Sequence, residues 1–273
     1  MLFTWDFFLM AAIFGLLYGF LLQKADFCFV ASIRDWISVR DSRILIGVLV
    51  LIGTALIGWG IVLTSGIRTV SEIWAMPIGG ANLIGGFIFG IGMTIAGACG
   101  SGTLYRCGMG YVQFWVVLLF AIAGNLLFAL IYDPWAKNYF VEPLTMKEEG
   151  YTLFSLSNHY LLLPILITAA MISLSAYRFG WERGTAGAKD MFTSWAGNPL
   201  KQCHWDIRFV GFAIGIVGTI QFALMSNVSI TGPETRIGGV FVATLFGDDA
   251  VYNNTYLNGM FAGYPNIGLG PEE

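Results

Sequence analysis

Charge is what this sequence has least of. Only 11% of its 273 residues are charged, whereas 56% are hydrophobic. Soluble domains usually carry about 25% charged residues, so this composition excludes an ordinary soluble enzyme and a disordered chain. The net charge of -3 gives no basic excess for binding phosphates, which argues against a nucleic acid partner. The composition therefore predicts that most of the surface faces a lipid bilayer.

Cysteine and histidine are also scarce. The four cysteines are Cys28, Cys99, Cys107 and Cys203, and their spacing fits neither a small disulfide framework nor a paired CxxC zinc site. Cys203 is followed by His204, but no further ligand stands at helical spacing, so we predict no metal site and no cofactor. A Walker-type loop, a GxSxG motif and paired catalytic carboxylates are all lacking, so we do not expect an enzyme.

Long apolar runs are what the sequence has instead. A helix needs about 20 mainly apolar residues to cross roughly 30 Å of hydrocarbon. Six such runs lie at about 3–22, 44–64, 78–97, 113–132, 159–177 and 207–225. The first run has no basic segment before it and no small-residue cleavage site, which favours a membrane helix over a signal peptide. We therefore predict an all-α integral membrane protein with about six transmembrane helices.

Basic residues are unevenly distributed among the connecting segments. Residues 24–43 and 178–208 are rich in Lys and Arg, whereas 133–158 holds two Lys against four acids. Because positively charged loops remain in the cytoplasm, we expect the N-terminus and the 133–158 loop to be extracytoplasmic.

Two stretches beside the predicted spans are too short or too broken to cross a membrane. One is AGACGSGTLYRCGMG, from Ala96 to Gly110, and the other runs from Lys24 to Trp36. Irregular backbone at membrane depth is tolerated only where it lines protein or a watery cavity, and a half-helix there points its N–H groups into that cavity. We predict short re-entrant or half-membrane helices near an anion site. A helix lying in the membrane interface is the alternative for residues 24–36.

The glycines just before the second stretch carry a separate prediction. Gly86 and Gly90 stand four residues apart, and so do Gly92 and Ala96. Small residues at this spacing let helix backbones approach closely in lipid, which is the interpretation we favour here.

The segments Gln23–Asp35 (QKADFCFVASIRD) and Gly86–Gly110 (GFIFGIGMTIAGACGSGTLYRCGMG) resemble the two signatures of the first repeat of the YeeE/YedE family of bacterial sulfur-compound transporters. The resemblance implies two pseudo-symmetric halves with membrane-dipping helices, in the bacterial inner membrane. It also implies passage of thiosulfate, or of related sulfur or selenium species, along a line of cysteines. Cys28 matches the cysteine of the first signature and Cys99 that of the second, while Cys107 has no counterpart.

The resemblance covers about residues 7–240, and its second half is incomplete. We predict a first transport repeat over 1–133, an extracytoplasmic loop over 134–158, a partial second repeat over 159–240 and a polar extracytoplasmic tail over 241–273. No second glycine-rich cysteine signature is present. The expectation is a truncated protein, or one that a second membrane chain or a homo-oligomer completes.

The predicted substrate pathway combines thiols with backbone amides. An S–H group is a weak donor on a polarizable atom, so thiols suit a soft anion that has to be released again. Glycine N–H groups add favourable potential. Arg106 either attracts the anion or anchors its helix at the interface. The predicted pathway residues are Cys28, Cys99, Gly97, Gly100, Gly102, Gln23 and Arg106.

The leading prediction is an inner-membrane permease for thiosulfate or a related sulfur-containing anion. One alternative is a non-autonomous subunit of a multi-chain sulfur or selenium transporter. Another is a membrane thiol oxidoreductase that cycles Cys99 and Cys107 between dithiol and disulfide. A purely structural role as packed core thiols is the remaining interpretation of the cysteines. We expect Asp26 to pair with Lys24.

Overall fold

The computed structural model describes residues 4–70, 73, 78–141, 145–147, 152–156, 160–179, 205–225, 230–247 and 249–262. This part of the chain is almost entirely helical. Its α-helices are α1 (Thr4–Ala25), α2 (Phe29–Ser38), α3 (Arg43–Thr64), α4 (Gly80–Ala96), α5 (Gly100–Gly108), α6 (Val112–Ile131), α7 (Leu162–Phe179), α8 (Ile207–Met225), α9 (Thr231–Phe246), α10 (Asp249–Tyr252) and α11 (Thr255–Ala262). A π-helical segment continues α6 over Tyr132–Val141, and a 3-10 turn covers Leu153–Leu156. Two short strands, β1 (Ile78–Gly79) and β2 (Thr145–Lys147), pair antiparallel.

The six apolar runs of the sequence correspond to α1, α3, α4, α6, α7 and α8. Within the described residues, five helical stretches are long and apolar enough to cross a membrane: Leu9–Ser38, Arg43–Thr64, Gly80–Gly108, Val112–Asn138 and Ile207–Met225. The remaining run, 159–177, contains a shorter apolar helix, Leu162–Leu174. Two of the five stretches are broken: Leu9–Ser38 includes the short helix α2, and Gly80–Gly108 includes the short helix α5. The prediction of an all-α membrane protein is confirmed.

The chain divides into two compact units. The first comprises Met1–Met76, Met93–Met109 and Tyr151–Asn227. In it, α3 packs most extensively against α8 and also contacts α7 and α2. Buried apolar side chains from α1, α3 and α8 form its main core cluster, among them Leu21, Val48 and Val210.

Glycine brings the backbones of α3 and α8 together. A Cβ added to Gly211 would collide with the carbonyl oxygen of Gly47, and one added to Gly215 would lie 2.7 Å from Cβ of Thr54. In contrast, a Cβ at Gly86 or Gly90 of α4 meets no atom of the described residues within 4 Å. The close approach predicted at Gly86 and Gly90 is therefore not observed in this part of the chain. Residue spacing shows that a helix can be approached closely, but it does not say which helix has a partner.

The second unit comprises Pro77–Gly92, Gly110–Gly150 and Val228–Glu273. In it, α9 packs against α6, α10 and α11. The fully buried Ala129 and Leu257 lie in its core cluster, and Phe128 meets Tyr256 edge to face at 5.5 Å. The carboxylate of Asp133 accepts a hydrogen bond from the N–H of Thr255 at 2.8 Å, at the start of α11. Helix α9 extends from Thr231 to Phe246.

Candidate functional site

Two helix breaks in the first unit have the same construction. The first lies between α1 and α2, and the second between α4 and α5. In each, the long helix ends at a residue with positive φ, Asp26 at 46° and Gly97 at 73°. One buried apolar residue follows, and then a cysteine, Cys28 or Cys99, is the N-cap of the short helix. A short helix is therefore present at each predicted position, and each one begins directly after a predicted pathway cysteine.

Local conformational preferences account for both breaks. The N–H of Gly97 donates to the carbonyl of Met93 at 3.0 Å, which is the αL ending that glycine commonly provides for a helix. At the first break the N–H of Asp26 donates to the carbonyl of Gln23 at 3.3 Å. Aspartate is one of the few other residues that enters the αL region readily. Both chains then become extended at the cysteine before helix formation resumes.

The two breaks bring the two predicted pathway thiols together. Cys28 and Cys99 are both free cysteines, and their side chains are hydrogen-bonded to each other. Cys28 is only 1% exposed, whereas Cys99 is half-buried and its sulfur lies 3.3 Å from Oγ of Ser101. A Cβ on Gly102 would lie 3.0 Å from Sγ of Cys28 and 3.5 Å from Sγ of Cys99. Glycine at position 102 thus leaves the space that both sulfurs occupy.

Backbone amides surround this cysteine pair. Neither cysteine makes a side-chain capping hydrogen bond to its own helix, so α2 and α5 both begin without a side-chain acceptor from the N-cap residue. The backbone N–H groups of Phe29 and Gly102 lie within hydrogen-bonding reach of the Cys99 sulfur. Since the first-turn N–H groups of a helix have no acceptor within the helix, two such ends create a region of positive potential.

Arg106 connects the two breaks. Its guanidinium donates to the carbonyl of Gly97 at 3.1 Å and to the hydroxyl of Tyr105 at 3.1 Å, and it lies 3.5 Å from the carboxylate of Asp26. Tyr105 itself donates to the same Asp26 oxygen at 2.5 Å. The Arg106 side chain is 18% exposed. We call Arg106, Tyr105 and Asp26 the brace, because they hold the residues of positive φ in fixed relation to α5.

The other predicted pathway residues occupy different positions. Gly100 and Gly102 lie in the first turn of α5, where their N–H groups face the N-terminal end of the helix. Gly97 donates its N–H to Met93 and its carbonyl accepts from Arg106, so in this structure its backbone serves the turn and the contact with Arg106. The side chain of Gln23 is exposed, and no contact in the described residues brings it to the cysteine pair.

Cys107 is separate from the pair. It is 6% exposed and lies eight residues after Cys99 on α5, which corresponds to about 12 Å along a helix. A disulfide requires Cα atoms within about 7 Å, so the predicted cycling of Cys99 with Cys107 requires unwinding of α5. Cys203 and His204 lie outside the described residues.

The sequence did not reveal the brace. We expected Asp26 to pair with Lys24, and the structure gives Asp26 the partners Tyr105 and Arg106 instead. These partners stand 79 and 80 positions away in the sequence, which local charge spacing cannot anticipate. The available signal was the parallel placement of Asp26 and Gly97, each two residues before a cysteine.

Fold and site together define a multi-pass membrane protein with two broken helices that meet at a cysteine pair. The sequence profile of a family described as "Sulphur transport" matches residues 24–269. The chain belongs to this sulphur transport family, which confirms the YeeE/YedE resemblance.

Named relatives agree with the family. The "Thiosulfate transporter TsuA" of Spirochaeta thermophila is 28% identical over 187 residues, which are 62% of this chain and 56% of that protein. The "Thiosulfate transporter TsuA" of Escherichia coli is 36% identical over 104 residues, 38% of this chain and 29% of that protein. The "Probable transporter YedE" of Escherichia coli is 33% identical over 129 residues, 46% of this chain and 31% of that protein. The matched regions thus span between 29% and 56% of these relatives.

Proposed function

We propose that this chain carries thiosulfate, or a related sulfur-containing anion, inward across the bacterial inner membrane, with Cys28 and Cys99 contacting the anion. The observation that carries the proposal is the meeting of two cysteines, each the N-cap of a short helix, beneath a glycine that leaves room for both sulfurs. Membership of the sulphur transport family and relatives named as thiosulfate transporters support the same substrate class.

The chemistry of the pair suits a soft divalent anion. Thiols offer weak donors and polarizable surface, so they replace part of the hydration shell without binding the anion too firmly for release. The two helix N-termini add positive potential that involves no formal charge. The nearby cation, Arg106, is engaged by Gly97, Tyr105 and Asp26, so it adds long-range attraction rather than a direct contact.

Orientation and driving force belong to the same proposal. The basic segments 24–43 and 178–208 support an extracytoplasmic N-terminus. A cytoplasmic location for the 133–158 loop, found with a reporter fused there, would contradict this orientation. Moving a dianion into a compartment that is negative by roughly 100 mV costs about 4.6 kcal/mol. Uptake therefore needs a coupled favourable process.

Uptake of radiolabelled thiosulfate tests the proposal. We expect Cys28→Ala and Cys99→Ala each to abolish uptake by cells that express this chain, because each removes one sulfur of the pair. Cys107→Ala is the matched control, since it removes a buried thiol from α5 that lies away from the pair. It should retain uptake near the wild-type rate.

Expression level and thermal stability in detergent separate loss of function from loss of folding. All three variants should reach the membrane in equal amounts. Full uptake by both Cys28→Ala and Cys99→Ala would contradict a role for the cysteine pair.

A second candidate function is that of a non-autonomous subunit. The matched regions span only 29–56% of the relatives' own length, and this observation favours the second candidate. Uptake that appears only when a second membrane chain is co-expressed would support this candidate over autonomous transport.

A further inference from the structure

A buried carboxylic acid lies between two helices of the second unit. Glu234, in the first turn of α9, is 8% exposed. Nδ2 of Asn125, in the middle of α6, donates to Oε2 of Glu234 at 3.3 Å. One turn later, a Cβ on Gly238 would lie 3.6 Å from Cβ of Leu126 and 3.7 Å from Cγ2 of Ile122. Glycine therefore lets α9 lie close against α6, and Glu234 is enclosed in that interface.

No ion pair of Glu234 appears within the described residues. The other titratable groups to consider are those on α9 itself and on the elements packed against it. Arg236 is two residues further along α9, about 200° around the helix. Helix α6 itself carries no titratable side chain, and Asp133 lies about 12 Å further along its π-helical continuation. The remaining groups are Asp249 and Tyr252 of α10 and Tyr256 of α11, whose hydroxyl is hydrogen-bonded to Thr235.

The same position in α2 holds a neutral group. Four residues after the N-cap Cys28, Ser32 is fully buried and donates its hydroxyl to the carbonyl of Phe29 at 2.6 Å. Four residues after the N-cap Ile230, α9 holds Glu234 instead. A hydroxyl occupies this position in α2, whereas α9 buries an acid in an apolar setting, which is costly and suggests a use for its proton.

We propose that Glu234 is the proton-binding site that couples anion uptake to the proton gradient. This inference rests on the proposed function. When the Glu234 carboxylate is accessible from outside, it binds a proton and an O–H bond forms. When the same group is accessible from the cytoplasm, that O–H bond breaks and the proton is released. Nothing is oxidised or reduced. One proton carried with each dianion halves the negative charge moved against the membrane potential.

A structural role makes a different prediction. An acid in the first turn is stabilised by the helix dipole, and the Asn125 contact also links α9 to α6. If Glu234 served only these purposes, its removal would destabilise the protein without changing how uptake depends on a pH gradient. Gln is the suitable replacement, because its amide oxygen can still accept from Asn125.

Proteoliposomes with the membrane potential clamped test the coupling. With the wild-type chain, the steady-state accumulation of labelled thiosulfate should rise about tenfold per pH unit of inward proton gradient. Glu234→Gln should show no dependence on the gradient, yet it should still exchange labelled for unlabelled thiosulfate. Asp249→Asn, which neutralises an exposed acid in the same unit, is the matched control and should accumulate as the wild type does.

Infrared spectroscopy of the purified protein tests proton binding without transport. The other acids of the chain titrate as well, so the readout is the difference between the wild-type and Glu234→Gln spectra. This difference should contain one protonated carboxyl band that titrates with pH. Asn125→Leu should shift the midpoint of that titration, and it serves as a second variant if Glu234→Gln fails to fold. Wild-type accumulation that does not depend on the pH gradient, or a difference spectrum without a titrating carboxyl band, would overturn the inference. A wild-type chain that neither accumulates nor exchanges thiosulfate, but keeps the band, would instead contradict the proposed function.

Discussion

The two helix breaks of the first unit have the same construction but use different residues to turn the chain. At the first, Asp26 adopts positive φ and contributes a side-chain carboxylate to the brace. At the second, Gly97 adopts positive φ and contributes a backbone carbonyl. The cysteines that follow also differ, since Cys28 is sealed from solvent whereas Cys99 is half-buried.

The difference separates the features that the two breaks share from those in which they differ. Both breaks keep the order of a long helix, a residue of positive φ, a buried apolar residue, a cysteine and a short helix. The residue that turns the chain differs between the breaks, and in both cases it offers an oxygen to Arg106. We infer that Arg106 and Tyr105 maintain the relative position of the two cysteines. Three substitutions test this comparison between the breaks.

The largest effect is expected from Arg106→Ala, because it removes contacts to both breaks together. Hydrogen bonds of charged groups contribute about 1.5–3 kcal/mol when buried, and partial exposure of this site lowers that figure. We expect a loss of about 1–3 kcal/mol in stability, observed as a lower unfolding temperature in detergent. The rate at which an added oxidant links Cys28 to Cys99 as a disulfide should also change, since the two sulfurs are no longer held in place.

Arg34→Ala is the control for this experiment. The Arg34 side chain is 63% exposed and pairs with its neighbour Asp35 at 2.9 Å on the surface of α2. Exposed pairs of this kind contribute about 0–1 kcal/mol, so both stability and cross-linking should remain near wild type. Equal behaviour of the two arginine variants would show that the brace does not position the cysteines.

A smaller, more local effect is expected from Gly102→Ala. The new methyl group would lie 3.0 Å from Sγ of Cys28, 3.2 Å from Cβ of Ala98 and 3.5 Å from Sγ of Cys99. At least one sulfur has to move by a few tenths of an ångström, so we expect slower thiosulfate uptake with a stability change of less than about 1.5 kcal/mol.

Gly108→Ala is the matched control, because it lies on the same helix and its Cβ would meet no described atom within 4 Å. It should transport as the wild type does. An unchanged uptake rate in Gly102→Ala would mean that the space beside the two sulfurs is not part of the pathway.

The sequence predicts elements better than it predicts their partners. The six apolar runs, the two short helices and the cysteine at the start of each could be identified because apolar length, helix-breaking residues and motif order are local properties. The contact between Cys28 and Cys99, and the brace of Arg106 and Tyr105 on Asp26, depend on which helices pack together. The same limitation applies to glycine, whose close contacts are found at Gly47 and Gly211 rather than at Gly86 and Gly90.

The last prediction concerns the positive φ that the two breaks share. Gly97 has φ of 73°, and a Cβ there meets no described atom within 4 Å, so Gly97→Ala isolates the strain of placing an L-residue in the αL region. That strain is roughly 1–2 kcal/mol, and Gly97→Asn should be milder because asparagine, like Asp26 at the other break, tolerates this conformation. Gly85→Ala should change stability in the opposite direction. Its position is equally open but lies within a helix, so alanine there should stabilise α4 by up to about 1 kcal/mol. Thermal unfolding in detergent should therefore rank Gly85→Ala above wild type, and wild type above Gly97→Asn and then Gly97→Ala. A Gly97→Ala variant as stable as wild type would show that the αL turn is not what fixes the second break, and that the brace alone determines where α5 begins.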